Sequence, residues 1–456
     1  EPRKVYFVSL GCPKNQVDTE VMLGVVDREG HARVDDPDEA DTLVVNTCGF
    51  IDAAKEESID TILELARVKA EGAARGEAKR LVVTGCLSQR YEKELAVEMP
   101  EVDHFLGSAD MLALANVLQG GAPRRGVSAL DRRAYLYDHT TARTVTGRRH
   151  SAYVKIGEGC DRPCAFCIIP KLRGPQRSRT IESLVREAEN LVAAGARELC
   201  LVTQDLTTYG TDLAEPRTLE QLLAALCEVD GLLWLRLHYA FPTTVTDGLL
   251  SMIAREPKIA TYLDVPIQHV DTDVLKRMRR GYTERVVRGM VERIRAQPAH
   301  IYLRTTLLVG HPGETEEAFE RLRAFVAEGA IDHLGVFPWS REEGTVSAMQ
   351  PGRVDPEVAQ ARAAELMELQ AERARARQQA LIGRELAVLV DGESSESEYL
   401  IDGRHEGQAP EIDGKVILTD GFAQAGDVVR ARVTAAEAHD LVATLDLESE
   451  HYERAL

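Results

Sequence analysis

The sequence predicts an α/β protein in three parts: an N-terminal doubly wound α/β domain, a central partial (β/α)6 barrel and a small C-terminal all-β barrel. Short β-branched runs alternate with helical stretches through most of the chain, which is the pattern of parallel sheets. After Gly383 the texture changes to short strands and Asp-Gly pairs. The 456 residues also exceed what one hydrophobic core serves.

Composition excludes several classes. Hydrophobic residues are 44% and charged residues 28%, ordinary for a soluble globular chain. No apolar run approaches the ~18 residues of a membrane helix. Glu1 to Tyr6 reads as the start of a strand and not as a signal peptide, so a cytoplasmic location without membrane contact is expected. A net charge of −19 argues against broad nucleic-acid binding and stable DNA contacts.

Three early runs share one layout. Val5 to Leu10, Thr42 to Thr47 and Arg80 to Gly85 are apolar segments, each followed by a cysteine: Cys12, Cys48 and Cys86. They read as buried parallel strands. Asn15 to Arg28 and Ile51 to Lys69 read as the helices between them. Carboxyl ends of parallel strands share one edge, so the three cysteines are expected to gather there.

Gly121 to His150 holds seven Arg against two Asp and reads as a basic, solvated connector. Six strands follow: Ala152 to Ile156, Glu198 to Thr203, Trp234 to Tyr239, Tyr262 to Pro266, Tyr302 to Val309 and Leu334 to Phe337. Ile181 to Ala194, Leu219 to Cys227 and Glu314 to Glu328 are amphipathic helices between them. Six units are too few for a closed eight-stranded barrel. Glu357 to Leu381 has the composition of a long helix. Beyond it, Glu385–Val390, Glu398–Ile401, Lys415–Leu418, Asp427–Val433 and Leu441–Leu445 read as five strands. Asp391-Gly392, Asp402-Gly403 and Asp413-Gly414 are read as the turns.

All eight cysteines lie in the first half, too sparse for a disulfide scaffold. Cys160, Cys164 and Cys167 form a CxxxCxxC cluster just past a strand. A structural zinc site normally takes four ligands, and this motif offers three. Three thiolates suit a four-iron cluster with one open iron, which can chelate a cofactor. For Cys12, Cys48 and Cys86 two readings stand: small buried hydrophobes, or a second three-cysteine cluster. Cys200 and Cys227, inside a strand and a helix, read as structural.

With these motifs the chain resembles the methylthiotransferase family of radical S-adenosylmethionine (SAM) enzymes over nearly its whole length. The carriers are Ser9 to Glu20, Asn46 to Ile51, the CxxxCxxC loop, Gln204 to Gly210 and Gln408 to Gly414. The resemblance implies an N-terminal methylthiotransferase domain (1–120), a connector (121–145), a radical SAM domain with its connecting helix (146–382) and a TRAM barrel (383–456). It implies two 4Fe-4S clusters and SAM as cofactors, two SAM per turnover, and no catalytic side chain beyond the cluster ligands. The wording of these motifs resembles the branch that methylthiolates the β-carbon of an aspartate of ribosomal protein S twelve, served by an electron donor such as flavodoxin or ferredoxin. The alternative branch modifies a tRNA adenosine. A reading from another class, a non-catalytic electron carrier, does not need the barrel.

By resemblance Phe166, Gln204, Gly310 and Gly313 contact SAM, the two glycines letting backbone approach the adenine. Asp205 and Gln268 are the substrate contacts. His238 and His269 lie at the same edge, where a plain structural role fits equally. His311 and Trp339 depart from the family's usual wording, with Phe and Tyr common there. From Gly383 to Leu456 the net charge is −11. Such a module repels phosphate, and its acids, including Glu396, Glu398 and Glu406, suit a basic protein target.

Overall fold

The computed structural model describes residues 2–121 and 135–445. The connector arginines 124, 125, 132 and 133, and the residues after 445, lie outside that range.

The N-terminal domain is a five-stranded parallel sheet. Its strands are β1 (Lys4–Ser9), β2 (Ala32–Arg33), β3 (Thr42–Thr47), β4 (Arg80–Gly85) and β5 (His104–Phe105), ordered β2-β1-β3-β4-β5. β3 is buried at all six positions, as a central parallel strand requires. Its residues divide between two cores. Val44 packs with Val17, Val21 and Val26 of helix α1 (Pro13–Arg28). Leu43 and Val45 pack with Ile62 and Leu65 of α2 (Asp52–Ala74) and Leu87 and Leu95 of α3 (Cys86–Glu98). Each such side chain contributes about 1.5–3 kcal/mol on burial. The sheet is therefore covered on both faces, as expected.

The central region carries six parallel strands: β6 (Ser151–Lys155), β9 (Glu198–Val202), β10 (Trp234–Leu237), β11 (Ile259–Asp264), β12 (Tyr302–Val309) and β13 (His333–Pro338). They run in sequence order across an open sheet. A two-stranded ribbon, β7 (Gly157–Glu158) with β8 (Arg177–Ser178), flanks the cysteine loop. Leu235, Leu237, Leu263 and Leu303 point to the main apolar core under the helices. The alternating residues Arg236, His238, Tyr262 and Arg304 occupy the opposite, concave face. Cys200 is fully buried in β9, and Cys227 closes the helix Leu219–Cys227, which agrees with structural roles.

A helix over Pro356–Gln379 leads to a closed barrel of β14 (Glu385–Ser394), β15 (Ser397–Arg404), β16 (Val416–Leu418), β17 (Val428–Ala436) and β18 (Leu441–Leu445). Two of the expected turns are not turns. Asp391-Gly392 sits inside β14, where the register shifts and Gly392 has φ +129, so the glycine serves a bulge. The neighbouring Asp391 carboxylate is buried and takes Arg404, Arg148 and His150. Asp402-Gly403 lies within β15.

The connector is also not uniformly solvated. Arg143 is buried between Glu20 of α1 and Glu187, both at 2.6 Å, and Arg148 pairs with Asp391 of the barrel. Arg149 is exposed, as expected.

The loop before β16 enters the concave face of the central sheet. Asp413 accepts from Tyr262 Oη and Arg304, both at 2.8 Å, and the Glu406 carbonyl takes Arg236 at 2.7 Å. Glu406 is thus an interdomain residue and not part of a free acidic face. Glu396 pairs with Lys415, and Glu398 is exposed.

Candidate functional site

Sheet geometry carries the first three cysteines to one edge. Cys12 is the N-cap residue of α1, with Pro13 at its first position. Cys48 follows β3, and Cys86 opens α3 directly after β4. Glycines let them close up. A Cβ on Gly11 would stand 3.1 Å from Cys48 Sγ and 2.8 Å from its Cβ. One on Gly49 would meet the Cys86–Leu87 backbone at 2.8–2.9 Å. One on Gly85, at φ +101, would strike the Thr47 carbonyl at 2.5 Å. Each cysteine is thus flanked by a glycine, and each glycine presses on a neighbouring strand end. Two helix N-termini, those of α1 and α3, begin at these sulfurs, and their dipoles favour negative charge there.

The polar frame around this site has no spacing signature. Asn15 Nδ2 donates to the Leu10 and Thr47 carbonyls at 3.1 and 3.0 Å. Arg173 is 2% exposed in its side chain and reaches Cys86 Sγ at 3.4 Å. The same guanidinium pairs with Asp18 at 3.0 Å and Glu158 at 2.9 Å, and Lys155 pairs with both acids. Two buried cations therefore balance two buried anions across the domain boundary. Burial alone raises the Glu158 carboxyl, but the Arg173 and Lys155 charges outweigh it and hold it below the usual carboxylate range. Sequence reading missed Lys155, Glu158 and Arg173, and met Asn15 and Asp18 only as members of the Ser9 to Glu20 motif, with no role. Only the β-strand placement of Lys155, a charge in an apolar run, offered a signal.

The second set is local. Gly159, at φ +83, precedes Cys160, and a Cβ there would collide with the Pro175 carbonyl at 2.0 Å. Four backbone bonds hold the loop: Cys160 N to Gly174 O, Ala165 N to Met278 O, Cys167 N to Cys164 O and Ser347 N to Ala165 O. The Arg162 amide points at Cys160 Sγ at 3.4 Å, and Arg280 reaches Cys164 Sγ at 3.2 Å. The three cysteines line an open cleft of about 440 Å³ with Arg162, Lys171 and Thr345.

Both sets consist of free thiols. Burial pushes Cys48 and Cys160 up to about 11 and Cys167 up to about 12. They therefore become thiolate ligands only when a metal displaces the proton. Among the described residues no three His, Cys, Asp or Glu side chains converge on one metal ion. An iron–sulfur cluster spreads its thiolates over separate irons. The guanidinium donors aimed at Cys86 and Cys164, and the main-chain amide aimed at Cys160, fit such anionic clusters.

The other expected residues fall as follows. Gln204 donates to Glu158 at 3.0 Å, which ties it to the Arg173 frame. Asp205 is buried, caps the turn at Thr207, and holds Arg162 at 2.6 Å; its carboxylate is not a free ligand. Phe166 is half-buried against Val274, Met278 and Ala318. Gln268 bridges to β12 with φ +67 and a half-buried side chain. Gly310 and Gly313 sit at φ +75 and +89, where a side chain would find no room. A Cβ on Gly310 would meet Ala359 Cβ at 2.4 Å, and one on Gly313 would meet Arg277. His311 is fully buried on Ser347 Oγ at 2.7 Å and edge-on to Trp339. His269 is buried 3.8 Å from Glu314.

Comparison with known proteins matches three family models. Residues 4–107 match the uncharacterized protein family UPF0004, 154–326 the radical SAM superfamily, and 382–445 the TRAM domain. The chain is 50% identical to the ribosomal protein uS12 methylthiotransferase RimO of Anaeromyxobacter sp. (strain Fw109-5), over 96% of this chain and 92% of that one. It is 48% identical to the RimO of Geobacter sulfurreducens over 96% and 98%. The fold resembles the radical SAM methyltransferase TsrM of Kitasatospora setae, with TM-score 0.55 and 16% identity over 76% of this chain and 77% of that one.

Proposed function

We propose that this chain, which belongs to the ribosomal protein uS12 methylthiotransferase family, inserts a methylthio group at the β-carbon of an aspartate of uS12, consuming two SAM per turnover. The observation that carries this reading is the pairing of two three-cysteine sites at the carboxyl edges of two parallel sheets, joined by the Asp18–Lys155–Glu158–Arg173 network. When bound, two 4Fe-4S clusters and SAM supply the radical and the methylated sulfur, chemistry that no side-chain acid or base reaches at an unactivated carbon.

The residues of the chain hold and aim these groups. Cys12, Cys48 and Cys86 hold one cluster, and Cys160, Cys164 and Cys167 the other. Arg173 offsets charge at Cys86, and Arg280 does the same at Cys164. The buried network fixes the distance between the two sites, so that binding energy goes into orientation. Phe166, Gln204 and the turn at Gly310 and Gly313 are the SAM side of the pocket. Asp205 acts by positioning Arg162, and Gln268 faces the substrate.

The division at residues 120, 145 and 382 belongs to the same reading. So do a flavodoxin- or ferredoxin-type electron donor and a cytoplasmic setting beside the ribosome. No described helix is long and apolar enough to cross a membrane.

The test is anaerobic incubation of the reconstituted enzyme with SAM, sulfide and a reductant, followed by mass spectrometry of uS12 and of tRNA. One methylthio group on the uS12 aspartate is expected. A gain on tRNA alone contradicts the assignment.

A further inference from the structure

Lys14 stands two residues after Cys12, and the residue is only 9% exposed. Its Nζ lies 3.7 Å from the centroid of the Tyr239 ring. Among the described residues it has no carboxylate at ion-pair distance. Lys155, Arg173, Arg236 and Arg404, more deeply buried still, each hold one or more. A buried ammonium calls for an anion, and a ring face meets only part of that demand.

The surface opposite is strained and incompletely bonded. Tyr239, just past β10, has φ +65, a left-handed conformation that a bulky side chain rarely takes. Its amide donates to Asp264 Oδ2 at 3.3 Å. Asp264 Oδ1 and His238 Nε2 are both buried without a hydrogen-bond partner, and His238 Nδ1 is 4.0 Å from Asp264 Oδ2. Such orphaned atoms are rare in native interiors. Lys14 comes from the N-terminal domain, while the other three come from the carboxyl edge of the barrel. The two sides meet where the Lys14 ammonium lies over the Tyr239 ring.

We propose that Lys14 receives the side-chain carboxylate of the target aspartate and thereby selects an acidic residue over a neutral one. The inference rests on the reading of uS12 as the substrate. A lone ammonium matches a single carboxylate through a charge-assisted hydrogen bond. Asp264 Oδ1 and His238 Nε2 remain to bond the peptide beside it. Neutralising the cysteine cluster is the rival role, but Arg173 already contacts Cys86 Sγ, whereas the Lys14 ammonium is carried to Tyr239 at the barrel edge.

The test uses enzyme reconstituted with both clusters, as wild type, Lys14→Met and Lys14→Arg. Binding of uS12-derived peptides carrying the target Asp, or Asn in its place, is followed by fluorescence anisotropy, with iron assayed in parallel. Wild type is expected to prefer the Asp peptide by roughly tenfold or more. Lys14→Met is expected to bind both peptides alike with wild-type iron content, and Lys14→Arg to recover part of the preference. Undiminished discrimination by Lys14→Met overturns the proposal. Loss of iron in Lys14→Met assigns the residue to the cluster and overturns it as well. If wild type modifies no uS12 peptide, the substrate reading fails and takes the proposal with it. If wild type modifies the Asp peptide, only the role of Lys14 is at stake.

Discussion

Cys160, Cys164 and Cys167 share one short loop, whereas Cys12, Cys48 and Cys86 come from three strand ends separated by 36 and 38 residues. The loop is closed by a few backbone bonds and one glycine, Gly159. The distributed site exists only once β1, β3 and β4 have paired and Gly11, Gly49 and Gly85 have let the strand ends meet. A local motif thus specifies a site almost by itself, while a distributed one borrows its geometry from a whole sheet. The two sites should fail in different ways.

Replacing Cys160, Cys164 and Cys167 together by Ala should abolish reductive cleavage of SAM, read as loss of 5′-deoxyadenosine. The same change at Cys12, Cys48 and Cys86 should leave 5′-deoxyadenosine forming but remove the methylthio product. Equal loss of both signals in the second variant would break the separation of roles.

Next in size is Arg173→Met, which leaves the Asp18 and Glu158 carboxylates with Lys155 as their only shared cation. Denaturant unfolding should show a loss of about 3–5 kcal/mol. Gly85→Ala places a Cβ against the Thr47 backbone at a left-handed position and should cost more than about 1 kcal/mol. Its iron loss should fall on the distributed site, with SAM cleavage retained. Gly159→Ala should show the opposite pattern.

Between these lies a pH effect. Burial lowers His238, His269 and His405 to about 3 and His311 to about 4. The unfolded chain binds these protons below about pH 6.5, while the fold refuses them. Stability should therefore fall on acidification from 6.5 towards 4, by about 1.4 kcal/mol per pH unit for each histidine. Burial raises Asp264 to about 6 and Glu314 to about 7, so acidification relieves a penalty there, but two acids oppose four histidines. His238→Phe should flatten the slope by about one histidine's share, measured by unfolding at several pH values.

The smallest effects belong to the C-terminal barrel. Glu398→Lys, on an exposed site, should change stability by less than about 0.5 kcal/mol and weaken uS12 binding mainly at low salt. Glu406→Lys should destabilise more, because its carboxylate accepts from the Thr261 amide of the central sheet and a lysine there places a like charge beside Arg236.

The same local-versus-distributed contrast governs what the sequence reveals. The six central strands and the CxxxCxxC loop are legible because periodicity and spacing are local. The gathering of Cys12, Cys48 and Cys86 follows from strand polarity. Arg173 and Asp18 are single polar residues whose decisive partners lie 87 to 155 residues away, so no window contains them. Arg143 reads as solvated for that reason: Glu20 is 123 residues away and Glu187 44. Asp391-Gly392 reads as a turn because composition does not separate a turn from a bulge whose aspartate serves an ion pair.

The central claim is that the distributed cysteines form a second cluster site independent of the first. Iron content after anaerobic reconstitution tests it most directly. Wild type should hold about eight irons per chain and either triple alanine variant about four. Eight irons retained after Cys12, Cys48 and Cys86 are all replaced by alanine would contradict it.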